Sequence, residues 1–194
     1  PYYGAMVTEV HIGTNGYLTF GAGHYPYGNS LPIPSPGGSI GGVELDGIIG
    51  LIWADLDPSS ADHAGGAGVY YLNLPTLAVV SYERIPYCCG ASSPSNTAQI
   101  IFHPTGAITM QWGDLQQGGS QSPSIGYENQ DGTMGEQIAY GWTEVNSLVA
   151  TAVDVGPAPC GTQDVVIDWT GGMMDSGHAQ FGTTLIDLPA HENL

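Results

Sequence analysis

Three aspartates lie close together in one stretch of the chain, Asp55, Asp57 and Asp62. Carboxylates two residues apart on a loop can converge on one hard cation, and oxygen ligands of this kind suit calcium. The EF-hand spacing is absent, because Pro58 and Ser59 interrupt it and no terminal glutamate follows. The alternative is turn chemistry, in which Asp55 caps a strand end and Asp57 begins a turn with Pro58. The sequence therefore leaves two interpretations: a calcium site with no further cofactor, or an ordinary loop.

Two patterns associated with hydrolases also occur. Residues 37–41 match the Gly-x-Ser-x-Gly string, which exposes a serine nucleophile on a turn between a strand and a helix. Here a proline-rich loop precedes the string and residues 42–44 favour no helix, so we interpret it as a chance match among 30 glycines. Glu83, Glu128 and Glu136 are candidates for a glycosidase pair, but the sequence does not place two of them across a cleft. We therefore expect no enzymatic activity.

The chain contains three cysteines, Cys88, Cys89 and Cys160. Adjacent cysteines bond each other only with strain. In a secreted protein, an odd count favours one bridge and one remaining thiol. We expect Cys160 to bond Cys88 or Cys89, with the third cysteine free or bonded to another chain. Three reduced cysteines are the alternative.

The charge balance is unusual. Arg84 is the only lysine or arginine in 194 residues, against 18 acids, and the formal net charge is −17. A chain without a set of cations cannot displace counterions from nucleic acid or bind an anionic membrane surface. No apolar run reaches the roughly 18 residues that span a bilayer. We therefore expect no nucleic-acid partner and no membrane insertion. Because the chain begins at Pro1, we expect a processed product or an excised segment. The glycine-rich, lysine-poor composition is typical of extracellular structural material, so we expect an extracellular location.

The composition predicts short strands and many turns. The chain has 30 glycines and 14 prolines, and long helix-forming stretches are absent. Alternation of apolar and polar residues, bounded by turn residues, predicts a series of strands. They cover residues 7–12, 17–20, 48–54, 68–72, 77–85, 97–103, 107–112, 122–128, 137–140 and 147–153, with a long loop over 21–47. Between the first two strands, Thr14-Asn15-Gly16 predicts a hairpin turn. The predicted fold class is all-β: a β-sandwich of mostly antiparallel short strands with long Gly/Pro-rich loops and a C-terminal strand-bearing extension.

A proline- and glycine-rich stretch at residues 156–161 predicts a boundary. We therefore divide the chain into a sandwich over residues 1–153 and an extension over 154–194. Two further segments in the extension, residues 165–169 and 181–188, are predicted as strands that could take part in assembly. Their residues of interest are Val165, Ile167, Trp169, Phe181 and Leu185.

The ordered set of predicted strands resembles the nidogen-like (NIDO-type) extracellular β domain. The segments that carry the resemblance are Val10–Phe20, Ile49–Pro58, Gly68–Tyr71, Val79–Tyr87, Asn96–Asp114 and Ile125–Thr133. The resemblance covers residues 2–153 and implies a β-sandwich with an adhesive or structural role outside the cell. The chain departs from the pattern in three ways: the strand expected upstream is missing or very short, the Cys88-Cys89 pair is extra, and residues 154–194 have no counterpart.

These observations favour an extracellular structural protein, a subunit of a fibre, sheath or cell-surface appendage that assembles with copies of itself. A reduced first strand would leave an open sheet edge, and an open edge is a template for pairing with another chain. The alternative is an adhesion module of a larger secreted protein that binds protein or carbohydrate, with calcium assisting. Exposed tyrosines such as Tyr25 and Tyr27 would then stack on sugars.

Overall fold

The computed structural model describes residues 2–29, 32–59, 67–88, 95–115 and 122–156, together with the backbone of residues 165–168, 179–181 and 184–186. Within these ranges the chain is almost entirely strand and turn, with one short helix, so the all-β prediction is confirmed. The elements are β1 (His11–Gly13), β2 (Tyr17–Thr19), β3 (Ser39–Ile40), β4 (Val43–Glu44), β5 (Ile48–Trp53), β6 (Gly68–Leu74), β7 (Leu77–Pro86), β8 (Ser95–Phe102), β9 (Ile108–Trp112), β10 (Ser124–Glu128), β11 (Gly135–Tyr140), α1 (Gly141–Asn146), β12 (Thr151–Val155), β13 (Val165–Asp168), β14 (Ala179–Phe181) and β15 (Thr184–Ile186).

Two antiparallel sheets make up the sandwich. One has five strands in the order β1-β2-β5-β10-β11, and the other has six in the order β13-β12-β9-β8-β7-β6. Two small hairpins, β3–β4 and β14–β15, form separate two-stranded sheets. Neighbouring strands along the chain pair directly in β6–β7, β7–β8 and β8–β9, as expected for strands joined by short turns.

The predicted turn at Thr14-Asn15-Gly16 joins β1 to β2, with His11 opposite Thr19. Gly16 has a positive φ of 75°, and its carbonyl oxygen accepts hydrogen bonds from both Leu51 and Ile52 of β5. Two consecutive residues of β5 therefore pair with one residue of the hairpin. This irregularity interrupts the alternation of β5 side chains between the two faces of the sheet. The side-chain oxygen of Asn15 also accepts from Leu56 N at 3.0 Å, and this bond ties the turn to the end of β5.

The predicted strand over residues 147–153 is the clearest difference. Helix α1 precedes this segment, and Ser147 and Leu148 extend the helical turn by donating to the carbonyls of Glu144 and Val145. The strand begins only at Thr151, whose hydroxyl donates to Leu148 O at 2.6 Å. The segment predicted as one strand at 181–188 is likewise divided, because β14 and β15 pair with each other as a hairpin.

The main core lies between the two sheets. Tyr82 of β7 and Trp112 of β9 are fully buried there, and Ala98 of β8 lies between them in the register. Both rings reach the opposite sheet. Tyr82 Oη donates to Gly13 O at 2.6 Å, and Trp112 Nε1 donates to Leu51 O at 2.7 Å. The two sheets are thus joined by directed hydrogen bonds as well as by apolar packing.

The five-stranded sheet is covered on its other face by residues of the long loop. Tyr17, Ile48 and Trp53 form a second buried cluster with Ile33 and Leu45, which lie in that loop. Strand β5 is therefore buried along its whole length, as its continuous apolar sequence predicts.

A buried carboxylate holds the covering loop in place. Glu128, at the end of β10, is fully buried, and its two oxygens accept from Ser35 N at 2.8 Å and Ile48 N at 3.2 Å. Burial raises the pKa of the Glu128 carboxyl, and the backbone donors oppose that rise in part. Glu128 therefore connects the loop at Ser35 to strand β5 through backbone amides.

Candidate assembly interface

The predicted assembly strand after residue 164 forms an edge of the six-stranded sheet. Val165–Asp168 form β13, which pairs antiparallel with β12, so that Val165 is opposite Val155 and Asp168 is opposite Ala152. Ile167 is opposite Val153. The predicted extension is therefore joined to the sandwich by a backbone ladder, and the predicted boundary after residue 153 falls inside β12.

Strand β12 is held firmly on its inner side. It pairs with β9 over its whole length, from Thr151 opposite Trp112 to Val155 opposite Ile108. Val153 and Val155 point into the main core, whereas Asp154 is exposed. The edge of β12 that does not pair with β9 therefore offers a row of backbone donors and acceptors, and β13 pairs with that edge.

Of the remaining predicted assembly residues, two lie in strands that the structure describes and one lies outside the described residues. Phe181 lies in β14 and Leu185 in β15, where Leu185 is opposite Gln180. Trp169 lies outside the described residues. The structure therefore brings Val165 and Ile167 to a sheet edge, and it puts Phe181 and Leu185 in one hairpin.

The opposite edge of the same sheet is β6. This strand has seven residues, none of them charged, and its side chains include Tyr71 at 58% exposure and Leu74 at 45%. A long edge strand without charges is a site at which another strand can pair. The six-stranded sheet therefore ends on two different strands, β6 and β13.

The aspartates of the predicted calcium site are only partly described. Asp57 Oδ1 accepts from both the backbone N and the hydroxyl of Ser59, at 2.9 and 2.7 Å, which is the turn arrangement of the alternative interpretation. Burial, with a smaller contribution from the charge of Asp57, raises the pKa of Asp55. Asp62 lies outside the described residues. Within the described ranges, no three histidine, cysteine, aspartate or glutamate side chains are grouped to hold a metal ion. The calcium site stays a prediction.

The cysteine region is next to these aspartates. Cys88 N donates to Asp55 O at 2.8 Å, and Leu56 forms a backbone bridge with Tyr87. Because Cys89 and Cys160 lie outside the described residues, the pairing among the three cysteines stays a prediction.

The residues considered for hydrolysis have structural partners. Ser39 lies in β3, and β4 follows it, so the Gly-x-Ser-x-Gly string lacks the helix of a nucleophile elbow. Glu83 accepts a hydrogen bond from the Ser81 hydroxyl, and Glu136 accepts one from Tyr127 Oη. With Glu128 bonded to backbone amides, each of the three glutamates has a partner within the fold.

Sequence reasoning missed one feature of this interface and one of the covering loop. The pairing of β13 with β12 joins residues across the predicted boundary, and strand periodicity carries no information about which strand is the neighbour. The role of Glu128 was also missed, because the amides that it binds come from distant parts of the chain. A glutamate at the end of an otherwise uncharged predicted strand was the only available signal.

In the part of the chain that the structure describes, no helix is long and apolar enough to cross a membrane. Comparisons with protein-family models, with curated proteins and with solved structures find no match to the chain.

Proposed function

We propose that the chain is a non-catalytic extracellular structural subunit, with a nidogen-like sandwich, that polymerises with copies of itself into a fibre, sheath or surface appendage. The observation that carries the proposal is the position of β13. It is an edge strand with a four-residue ladder to β12, and it is connected to the sandwich through residues 156–164, which include two prolines and two glycines.

Exchange of β13 between copies would preserve its ladder to β12. The same residues would pair in the same register, so the free energy of the ladder would be nearly unchanged, as in domain swapping. A joint between two different surfaces, β12 of one copy and β13 of the next, is heterologous, and heterologous contacts that do not close produce open filaments. The uncharged edge strand β6 supports the same proposal as a second place for strand pairing.

The net charge sets a condition on assembly. Copies that each carry a formal charge of −17 repel one another at low ionic strength. At 0.15 M salt the Debye length is about 8 Å, so repulsion between distant surface charges is largely screened. Assembly through backbone hydrogen bonds should therefore need physiological salt or a divalent cation, and it should weaken in low salt.

The test compares the full chain with two full-length variants, Val166→Pro and Val166→Thr. Val166 is opposite Asp154. Because His103 and Ala107 form a hydrogen-bonded pair and the registers from β8 through β9 to β12 are regular, the backbone N–H of Val166 points toward β12. Proline at position 166 cannot donate to the β12 ladder, whereas threonine keeps the backbone donor and β-strand preference. We expect the original chain and Val166→Thr to form filaments at 0.15 M salt and Val166→Pro to remain dispersed, as seen by negative-stain electron microscopy. Circular dichroism and urea unfolding would show that Val166→Pro keeps the sandwich.

Deletion of residues 163–194 gives a second version of the same test and should also abolish filaments. If the deleted chain or Val166→Pro assembled as the original does, strand exchange through β13 would be wrong. The comparison is made with and without reductant, because a thiol left over from the cysteine pairing could link chains covalently.

A second candidate function is an adhesion module of a larger secreted protein. The specific observation in its favour is the exposure of Tyr25 at 81% and Tyr27 at 58%, two residues apart on the covering loop, where both rings can stack on a sugar. This alternative requires a monomer that binds glycans. A glycan array with the original chain and with Tyr25→Ala/Tyr27→Ala, with and without calcium, tests it.

A further inference from the structure

The outer face of the six-stranded sheet is identified by alternation. Val80, Ile100 and Met110 point into the main core from neighbouring strands. Successive side chains in a strand point to opposite faces, so their chain neighbours Val79 and Ile101 point away from the core. The register puts Val79 directly opposite Ile101.

Side chains on this outer face are nevertheless buried. Val79 is 3% exposed and Ile101 is 1% exposed. In the adjacent row, Gln99 and Gln111 are also buried, and their side-chain amides hydrogen-bond to each other. A sheet face open to water would leave such side chains accessible. Among the described residues, neither hydrophobic cluster includes Val79 or Ile101, so a further segment must cover them.

The chain that follows β13 is in position to do so. Because β13 pairs with β12, the chain leaves Asp168 at the edge of this same sheet. The next described elements are β14 and β15, which form a two-stranded hairpin. An isolated hairpin is marginally stable in water unless an apolar face packs on something else. The register pairs Phe181 with Thr184 and Ala179 with Ile186, which puts Phe181 and Ile186 at positions on one face of the hairpin.

We propose that the β14–β15 hairpin docks on the outer face of the six-stranded sheet of its own chain, over Val79 and Ile101. This docking does not depend on filament formation. In a filament formed by exchange of β13, the hairpin would follow β13 onto the neighbouring copy. Its docking on the outer sheet face of that copy would then add apolar area to the contact between the two copies.

The test is a double-mutant cycle in the full chain, followed by urea unfolding. The two changes are Ile101→Ala and the hairpin variant Phe181→Ser/Ile186→Ser. If the hairpin covers Ile101, Ile101→Ala lowers the folding equilibrium constant by about thirtyfold in the original chain, as for a buried isoleucine. In the hairpin variant, where Ile101 is already exposed, the same change lowers it by less than about threefold.

Ile100→Ala is the matched control. Ile100 is the adjacent residue in β8 but faces the main core, so its substitution should cost the same in both backgrounds. An equal cost of Ile101→Ala in both backgrounds would overturn the docking. A coupling that appears only at high protein concentration would also overturn it, because the cover would then be a second copy.

A second measurement, photo-cross-linking, does not require the hairpin variant to fold. Thr109 lies opposite Ile101 on the outer face and is half-buried. A photoreactive benzoylphenylalanine replacing Thr109 in the full chain should cross-link to the peptide of residues 169–194 within one monomer. Cross-links to any other peptide, or only between monomers, would contradict the proposal.

Discussion

The indole Nε1 of Trp112 lies 2.7 Å from the carbonyl oxygen of Leu51 and donates a hydrogen bond to it across the core. Trp112 belongs to the six-stranded sheet and Leu51 to the five-stranded sheet. Tyr82, two strands away in the same row, makes a similar bond to Gly13 O. These two bonds fix how the sheets lie on each other, and the sandwich that results positions β12 and β13 at its edge.

Removal of one inter-sheet bond should be costly although almost no volume changes. Tyr82→Phe leaves the buried carbonyl of Gly13 without that donor, and we expect a loss of about 1–3 kcal/mol in the free energy of unfolding. Tyr71→Phe is the control, because Tyr71 is exposed and a surface change of this kind costs less than about 0.5 kcal/mol. Urea unfolding measures both; equal effects would mean that the Tyr82 bond does not hold the sheets together.

Gly16 should tolerate no side chain. It has a φ of 75°, and a Cβ atom there would lie 2.1 Å from Ile52 O. Gly21 also has a positive φ, 89°, but a Cβ atom there meets nothing within 4 Å. Gly21→Ala should therefore cost about 1–2 kcal/mol from backbone strain alone. Gly16→Ala adds about 1–3 kcal/mol or more of overpacking to that strain.

The two alanine variants are compared by their urea midpoints. A similar loss of stability in both variants would contradict this expectation. It would show that β5 can move away from the turn to make room for a Cβ atom at position 16, although the Gly16 carbonyl accepts from two β5 amides.

Glu128 should make stability depend on pH in a defined direction. Burial raises its pKa in the folded chain above the ordinary value of 4.5, so ionised Glu128 lowers stability. The penalty is complete above the raised pKa, decreases as the pH falls through it, and is absent below 4.5. Between pH 7 and pH 4.5 the original chain should therefore gain stability relative to Glu128→Gln.

Glu44→Gln is the control for this experiment, because Glu44 is exposed and its substitution removes the same formal charge. Its stability should follow that of the original chain over the same pH range. A difference between the original chain and Glu128→Gln that stays constant with pH would rule out the buried carboxylate as the source.

Arg84 makes trypsin a single-site reporter of unfolding. It is the only lysine or arginine in the chain, and it lies inside β7, where its backbone N donates to Thr97 Oγ1 at 3.1 Å. The neighbouring residues Glu83 and Ile85 pair with β6 and β8. Cleavage after Arg84 should be roughly a thousandfold or more slower in the folded chain than in urea, where two fragments should form. Rapid cleavage without urea would indicate local opening of β7.

Much of the sandwich follows from the sequence because its strands are short apolar or alternating segments bounded by turn residues. Strands such as β5 and β9 were predicted to within a few residues, and the turn at Asn15-Gly16 was predicted from its residue types. Helix α1 was missed because Gly141–Asn146 is short and has a single buried residue, Val145, so it has no helical periodicity. Hydrophobic periodicity is detectable only where buried residues recur along an element, and a helix with one buried residue has no such recurrence.

The candidate interface was only partly predictable for a different reason. The alternation at Val165 and Ile167 predicts a strand, but the choice of β12 as its neighbour depends on which edge of the folded sandwich is available. The packing of Ile33 and Leu45 on the five-stranded sheet was unpredictable for a similar reason. A loop rich in proline and glycine has no hydrophobic periodicity that would indicate where it packs.

The most direct test of the proposed function is negative-stain electron microscopy of the purified full chain at 0.15 M salt, beside Val166→Pro and Val166→Thr. The account predicts filaments of uniform width for the original chain and Val166→Thr, and dispersed particles for Val166→Pro. Dispersed single particles of the original chain at every salt and protein concentration, or filaments that survive Val166→Pro, would contradict it.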